Sequence, residues 1–150
     1  MDIALYALAP RARSRAELHK YLLTRGVEDS CAAGVLDSLE LQGLLNDLDF
    51  AKIWSESRQR QKKISKRSIA AELRQKGVAA DIIDEALEEI GDETEYEMAL
   101  ALAQKKYRSC SNLGPDVAYR RISSLLARKG FSHQMMSRIM NQLRLADEQH

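Results

Sequence analysis

Residues 67–90 read RSIAAELRQKGVAADIIDEALEEI, and their apolar spacing predicts two helices joined at a glycine. Ile69 and Leu73 lie four residues apart, which places both on one helical face. Gly77 follows where the end of a helix commonly requires the left-handed conformation, and Val78 can fold back on the last turn. The apolar stripe of the second helix comprises Ile82, Ala86, Leu87 and Ile90.

The same pattern occurs twice more, without gaps, in residues 16–39 and 120–143. Its glycines are Gly26, Gly77 and Gly130, which lie 51 and 53 residues apart. Each glycine follows a base and precedes an apolar residue, so three matched copies favour an internal repeat over coincidental glycine-capped hairpins. The other second-helix stripes are Cys31, Val35, Leu36 and Leu39, and Met135, Ile139, Met140 and Leu143.

The segments between the copies supply a third helix. Asn46 and Asp47 predict a turn and a cap, and the helix that follows has Phe50, Ile53 and Trp54 as expected core residues. Further helix starts are predicted by the capping-box patterns Ser14-x-x-Glu17 and Thr94-x-x-Glu97 and by Pro115, which suits a first helical turn.

An all-α fold follows from these patterns. Only two prolines and seven glycines interrupt 150 residues that are dominated by strong helix formers. We expect three tandem three-helix bundles, with units at residues 1–57, 58–108 and 109–150, forming an elongated, curved molecule.

Several classes of protein are not expected. The apolar runs are shorter than the ~18–20 residues that a membrane span requires. Cys31 and Cys110 are single cysteines, which suit a reducing compartment and hence the cytoplasm. Phosphate-loop, dinucleotide-binding and zinc motifs are missing from the sequence, so we expect neither an enzyme nor a cofactor or metal.

Charge is distributed in blocks, although the formal net charge is only +1. Residues 58–76 hold eight bases and one acid, residues 81–97 hold nine acids, and residues 105–130 hold seven bases and one acid. Such blocks are either solvated helix faces, partly paired with each other, or surfaces that approach phosphates or acidic proteins.

The motifs together resemble the RecX family of recombination regulators, in order and over nearly the whole chain. They are Ser14-x-x-Glu17-Leu18, Arg25-Gly26, GLLNDLDFAKIWSESR at residues 43–58, ELRQKGV at residues 72–78, and Leu126-x-x-Lys129-Gly130-Phe131. The resemblance implies a protein of three-helix repeats that binds the RecA filament on single-stranded DNA. Such a protein limits filament growth and inhibits strand exchange and the ATP hydrolysis of RecA. It is expected to act in recombination and DNA repair as a monomer.

The chain departs from the family pattern before its second copy of the repeat. Many members carry Gly-Pro and an arginine there, whereas this chain has Ser65, Lys66 and Ser68. Ser65 can cap a helix, so the fold should survive, and a contact made by that arginine would pass to Lys66 or Arg67.

The candidates for contact with RecA or DNA are basic residues of the two positive blocks: Arg58, Lys62, Lys63, Lys66, Arg67, Arg74, Lys76, Arg120, Arg121, Arg128 and Lys129. For Lys76 and Lys129, capping of the helix dipole is an equally good interpretation. Two alternatives stay open for the whole protein. It could be a helix-turn-helix regulator that binds DNA alone, or a helical-repeat scaffold for another partner.

Overall fold

The computed structural model describes residues 3–4 and 12–148, and this part of the chain is helical without strands, which confirms the all-α prediction. Its α-helices are α1 (Arg15–Thr24), α2 (Asp29–Leu41), α3 (Asp47–Lys62), α4 (Lys66–Gln75), α5 (Ala80–Glu88), α6 (Asp92–Cys110), α7 (Pro115–Arg128) and α8 (His133–Glu148). A short 3₁₀ turn, Ser111–Leu113, separates α6 from α7.

The three repeat glycines end their helices in the predicted way. Gly26, Gly77 and Gly130 have φ angles of 85°, 80° and 89°. In each copy the amide after the glycine donates to a carbonyl in the last turn at 3.1 Å, from Val78 to Leu73 in the second copy and from Phe131 to Leu126 in the third. This is the bond that defines a Schellman cap.

The chain forms two compact units, which take non-contiguous pieces of sequence. The first unit consists of Met1–Ser57 and Ala70–Glu89, and the second of Arg58–Ile69 and Ile90–His150. The core of the first unit gathers apolar side chains around α1 and α2. Its buried members are Ala4, Leu18, Leu22, Ala32, Leu36, Leu39 and Leu45.

In the second unit, α6 packs on both α7 and α8. The shared core is formed by Tyr96, Ala99, Ala103, Ile122, Leu126, Phe131, Ile139 and Leu143. The alanines of α6 let the following helix pair approach closely, because a small side chain brings two helix axes together.

In each unit a capping serine at the start of one helix contacts the glycine turn at the end of another, and we call these two contacts joints. The first joint consists of Ser14, Ala16, Lys76 and Gly77. Ser14 caps α1, where its hydroxyl oxygen accepts from the amide of Glu17 at 3.1 Å, and the same hydroxyl donates to the carbonyl of Lys76 at 2.6 Å. Ser14 is fully buried.

The second joint consists of Ser65, Ser68, Lys129 and Gly130. The Ser65 hydroxyl accepts from the amide of Ser68 at 3.1 Å and donates to the carbonyl of Gly130 at 2.8 Å. A Cβ atom on Gly130 would collide with the hydroxyl of Ser68, and one on Gly77 would collide with the side chain of Ala16. Both glycines are therefore needed for close approach as well as for their φ angles.

The other local predictions have mixed outcomes. The capping box at Ser14 is confirmed, as is the cap at Asn46, whose side chain accepts from the amide of Asp49 at 3.0 Å. Pro115 occupies the first turn of α7 as predicted. The capping box at Thr94 was a wrong prediction, because α6 already begins at Asp92 and Thr94 lies inside it.

Three predicted core positions are also wrong or only partly right. Cys31 is exposed, and Ala32 takes the buried position beside it. Ile53 is 59% exposed, whereas Phe50 is buried as expected. Trp54 is only half-buried. The rest of each predicted stripe is buried, as Leu36, Leu39 and Phe50 show, and the misses fall at its edges, because 3.6 residues per turn leave neighbouring positions almost equally close to the buried face.

Candidate functional site

The second unit contains a cleft lined almost entirely by cations, which we call the basic cleft. Lys106 of α6 and Arg120, Arg121, Ser124 and Arg128 of α7 line its 360 Å³. Arg120, Ser124 and Arg128 lie on one face of α7 because they recur every four residues. The described lining residues include four cations and no carboxylate.

The charges of this region affect the pKa of a buried thiol at the end of α6. The hydrogen bond between Ser109 and Cys110 lowers the pKa of the Cys110 thiol, and Arg121 and Lys106 act in the same direction. The Ser109 hydrogen bond is the largest cause, and the smaller contributions of Arg121 and Lys106 come from the positive charge of the cleft, which favours the thiolate. The cleft is therefore suited to bind an anion such as a phosphate group.

The structure brings three of the predicted contact residues, Arg120, Arg121 and Arg128, into the basic cleft, and all three are exposed. The remaining exposed candidates are Lys62, Lys63, Arg67 and Arg74, and the half-buried ones are Arg58, Lys66, Lys76 and Lys129. Arg74 and Lys76 belong to the first unit and the other nine candidates to the second. The candidates thus do not form one site.

Lys66 is held by contacts within the protein. Its ammonium lies 2.8 Å from a carboxylate oxygen of Asp92 and donates to the carbonyl of Ile90 at 3.0 Å. The Lys66 hydrogen bond also holds the pKa of Asp92 below its ordinary value. With Lys66 engaged in this way, Arg67 is the neighbouring cation that faces solvent.

Lys76 and Lys129 precede equivalent glycines but have different partners. The Lys76 ammonium lies 3.2 Å from a carboxylate oxygen of Glu17 and 4.4 Å from the ring centroid of Trp54. The Lys129 ammonium donates to the carbonyl of Lys62, at the end of α3, at 2.7 Å. Lys129 therefore caps a helix other than its own.

The acidic block is partly paired, but of its partners here only Lys66 belongs to a positive block. Glu89 pairs with Lys52 at 3.0 Å, and Glu93 pairs with Arg138 at 3.1 Å. With Asp92 held by Lys66, three of the nine acids in residues 81–97 take part in these ion pairs.

Two features were missed from the sequence. Lys106 completes the basic cleft, and its membership of the third charge block was the available signal. In the first unit, Tyr21 and Trp54 line a second cleft of about 790 Å³ together with Arg13, Lys20, Glu72 and Lys76. We call it the aromatic cleft. The sequence did not predict this cleft because Trp54 was expected to be a core residue.

The fold and its clefts define a class of protein: an all-α protein of tandem three-helix domains with a cationic surface cleft. Family models for RecX match the chain in three parts, namely the first three-helix domain at residues 1–39, the second at 46–87 and the third at 93–140. The regulatory protein RecX of Streptomyces coelicolor is 39% identical over 140 residues, covering 93% of this chain and 74% of that protein. That of Mycobacterium avium is 40% identical, covering 92% and 80%. The chain belongs to the RecX family.

Solved structures agree with this fold. The crystal structure of RecX from Lactobacillus salivarius matches with a TM-score of 0.87 at 24% identity, covering 96% of this chain and 94% of that one. A second structure, of a regulatory protein RecX, matches with a TM-score of 0.78 at 26% identity, covering 91% and 68%. The family models and the relatives confirm the resemblance, and the three-helix domains predicted from the sequence are confirmed as well. In the described part of the chain, no helix is long and apolar enough to cross a membrane.

Proposed function

We propose that this protein is a non-catalytic regulator of RecA, which binds the RecA filament on single-stranded DNA. It limits filament extension and inhibits strand exchange and ATP hydrolysis, and so modulates recombination and DNA repair. The observation that carries the proposal is the match to all three RecX domains, which spans most of the chain. We further propose that it acts in the cytoplasm as a monomer, with repeat units at residues 1–57, 58–108 and 109–150.

The basic cleft supplies the contact that such a function needs. Arginine side chains match phosphate oxygens with paired N–H groups, and a cleft without carboxylates attracts phosphates with little opposing repulsion. The four cations of the cleft would neutralise phosphates of the filament DNA or acidic groups of the filament surface; they are Lys106, Arg120, Arg121 and Arg128. Arg67 would take the role of the arginine that many family members carry nearby. Arg58, Lys62, Lys63, Lys66, Arg74, Lys76 and Lys129 are the remaining contact candidates.

The decisive experiment follows phosphate release by RecA on single-stranded DNA as purified protein is added. We expect hydrolysis to slow at equimolar protein or less. Unchanged hydrolysis over that range would contradict the proposal.

Lys106→Ala and Lys105→Ala make a matched pair for testing the basic cleft. Both remove one lysine from the same helix, but only Lys106 lines the cleft. A lost phosphate contact of about 1 kcal/mol corresponds to about fivefold in affinity. We therefore expect Lys106→Ala to raise the half-inhibitory concentration about fivefold and Lys105→Ala to leave it within twofold of wild type. Equal effects would remove the cleft from the interface.

A salt titration on duplex DNA without RecA distinguishes the proposed function from the alternative, a helix-turn-helix regulator that acts alone. Binding by phosphate contacts weakens steeply as salt rises, and the net charge of +1 with a block of nine acids predicts weak binding. Tight, sequence-specific duplex binding at physiological salt would favour the alternative.

A further inference from the structure

The cations of the basic cleft differ from other bases of the second unit in their partners. Lys66 pairs with Asp92 at 2.8 Å, and Arg138 pairs with Glu93 at 3.1 Å. Within residues 12–148, by contrast, no carboxylate forms an ion pair with a cation of the cleft, and none lines it. The protein therefore leaves the charge of the cleft without a counter-charge.

This arrangement of cations costs stability. Lys106 comes from α6 and the three arginines come from α7, so two helices bring like charges to one small cleft. Like charges that are held together repel each other, although the chain has 22 acids with which it could have neutralised them. A cluster that lowers stability and is left unneutralised is typical of a site that binds the opposite charge.

The lining also indicates which kind of anion fits. Its described members are four cations and Ser124, without a ring or an apolar side chain. A base or a lipid chain would thus find no surface on which to stack or be buried. Guanidinium groups instead match phosphate oxygens with paired N–H groups, and the ammonium of Lys106 adds a point charge. A volume of 360 Å³ lies at the small end of the range for ligand sites, so the lining favours a short ligand made of phosphate alone.

We infer that the basic cleft binds condensed phosphate, that is, a chain of phosphates that share bridging oxygens, as in inorganic polyphosphate. Such a chain has no sugar between its charged groups, so it brings more negative charge into a small cleft than a nucleic-acid strand does. The triphosphate tail of a nucleotide has the same chemistry, but its base would gain no contact from this lining. This inference does not depend on the proposed action on RecA, because it concerns the protein by itself.

Isothermal titration calorimetry with tripolyphosphate measures the binding, in magnesium-free buffer of constant ionic strength without RecA or DNA. We expect saturation at one tripolyphosphate per chain. Orthophosphate should bind at least about tenfold more weakly, because it engages fewer of the cations. ATP should bind no more than about threefold more tightly than tripolyphosphate, because the lining offers its adenosine no contact. Absence of saturable binding by tripolyphosphate, comparable binding of orthophosphate, or tighter binding of ATP than this would each overturn the inference.

A matched pair of variants tests whether the bound phosphate lies in the cleft. Lys106→Ala and Lys105→Ala each remove one lysine from α6, but only Lys106 lines the cleft. We expect Lys106→Ala to weaken the binding of tripolyphosphate about tenfold, as the loss of a charge-assisted contact, and Lys105→Ala to weaken it about twofold or less. Equal affinities of the two variants would overturn the inference.

Arg128→Gln and Arg108→Gln keep the test decisive if Lys106→Ala fails to fold, as judged by its helical circular dichroism. Both arginines are exposed in the last turn of their helices, and only Arg128 lines the cleft. Equal affinities of these two variants would overturn the inference in the same way. Failure of the RecA assay with tripolyphosphate binding intact would reject the proposed function alone. Normal inhibition of RecA without tripolyphosphate binding would reject this inference alone.

Discussion

At the first joint the lysine before the glycine directs its ammonium to a carboxylate and an indole, whereas at the second joint the lysine in the same position donates to a backbone carbonyl. The two copies differ at the position three residues after the capping serine, which is Glu17 in the first copy and Ser68 in the second. Glu17 reaches back to the amide of Ser14 at 3.1 Å, but serine is too short for that bond. The amide of Ser65 donates instead to the carbonyl of Lys129 at 2.9 Å.

The difference teaches which side chains belong to the fold. The capping serine and the close-approach glycine are common to both joints, whereas the charged and aromatic side chains around them are not. A repeat protein must retain the former to hold neighbouring copies together, and it can vary the latter to create a binding surface in one copy.

The largest expected effect is the loss of stability when Gly77 or Gly130, the glycines of the joints, is replaced, compared with Gly26, which lies outside both joints. Gly26→Ala meets no atom within 4 Å and should lower the free energy of unfolding by about 1–2 kcal/mol, the cost of a left-handed alanine. Gly77→Ala and Gly130→Ala add a collision with Ala16 or Ser68, so we expect about 3 kcal/mol for each. Urea denaturation measures all three, and equal losses would show that the joints are not closely packed.

A smaller effect is expected from the capping serines. Ser14→Ala and Ser65→Ala each remove a helix cap and a hydroxyl donor to a carbonyl at the joint, at a cost of about 2 kcal/mol. Ser132→Ala removes a cap bond to the amide of Met135 from an exposed serine outside both joints, so it should lower stability by only about 0.5–1 kcal/mol. Thermal and urea unfolding should rank the three variants in this order. The same loss at Ser132 would contradict a special role for the joints.

The smallest expected effect is the difference in stability loss between substitutions of Lys76 and of Lys129. Lys76→Met should lower stability by about 1 kcal/mol through the loss of a half-buried ion pair and a cation–π contact. Lys129→Met should lower it by about 0.5 kcal/mol. A double-mutant cycle of Lys76→Met with Glu17→Gln should show a coupling that shrinks in high salt, because glutamine keeps the capping box but not the charge. Coupling that is absent at low salt would show that the Lys76–Glu17 pair contributes nothing.

Sequence reasoning succeeded where the signal was local. The left-handed glycines, the caps at Ser14, Asn46 and Ser65, and the helix start at Pro115 all depend on neighbours within a few residues. It failed at Cys31 and Ile53, where a neighbouring position was equally compatible with the apolar pattern, and at Thr94, because the helix begins two residues earlier, at Asp92. No cleft was predicted, but three of its arginines were among the contact candidates because they share one basic helix, whereas Lys106 comes from another helix.

The amino-acid sequence by itself determined the helices, the threefold repeat and the family, because helix propensity, caps and apolar spacing act over a single turn or two. Tertiary packing decided which helices share a core, as α6 does with α7 and α8. It also decided which basic side chains lie together in a cleft. It also placed Trp54 at a cleft wall instead of in the core. These outcomes depend on contacts between residues tens of positions apart, whose geometry exists only after the helices have packed.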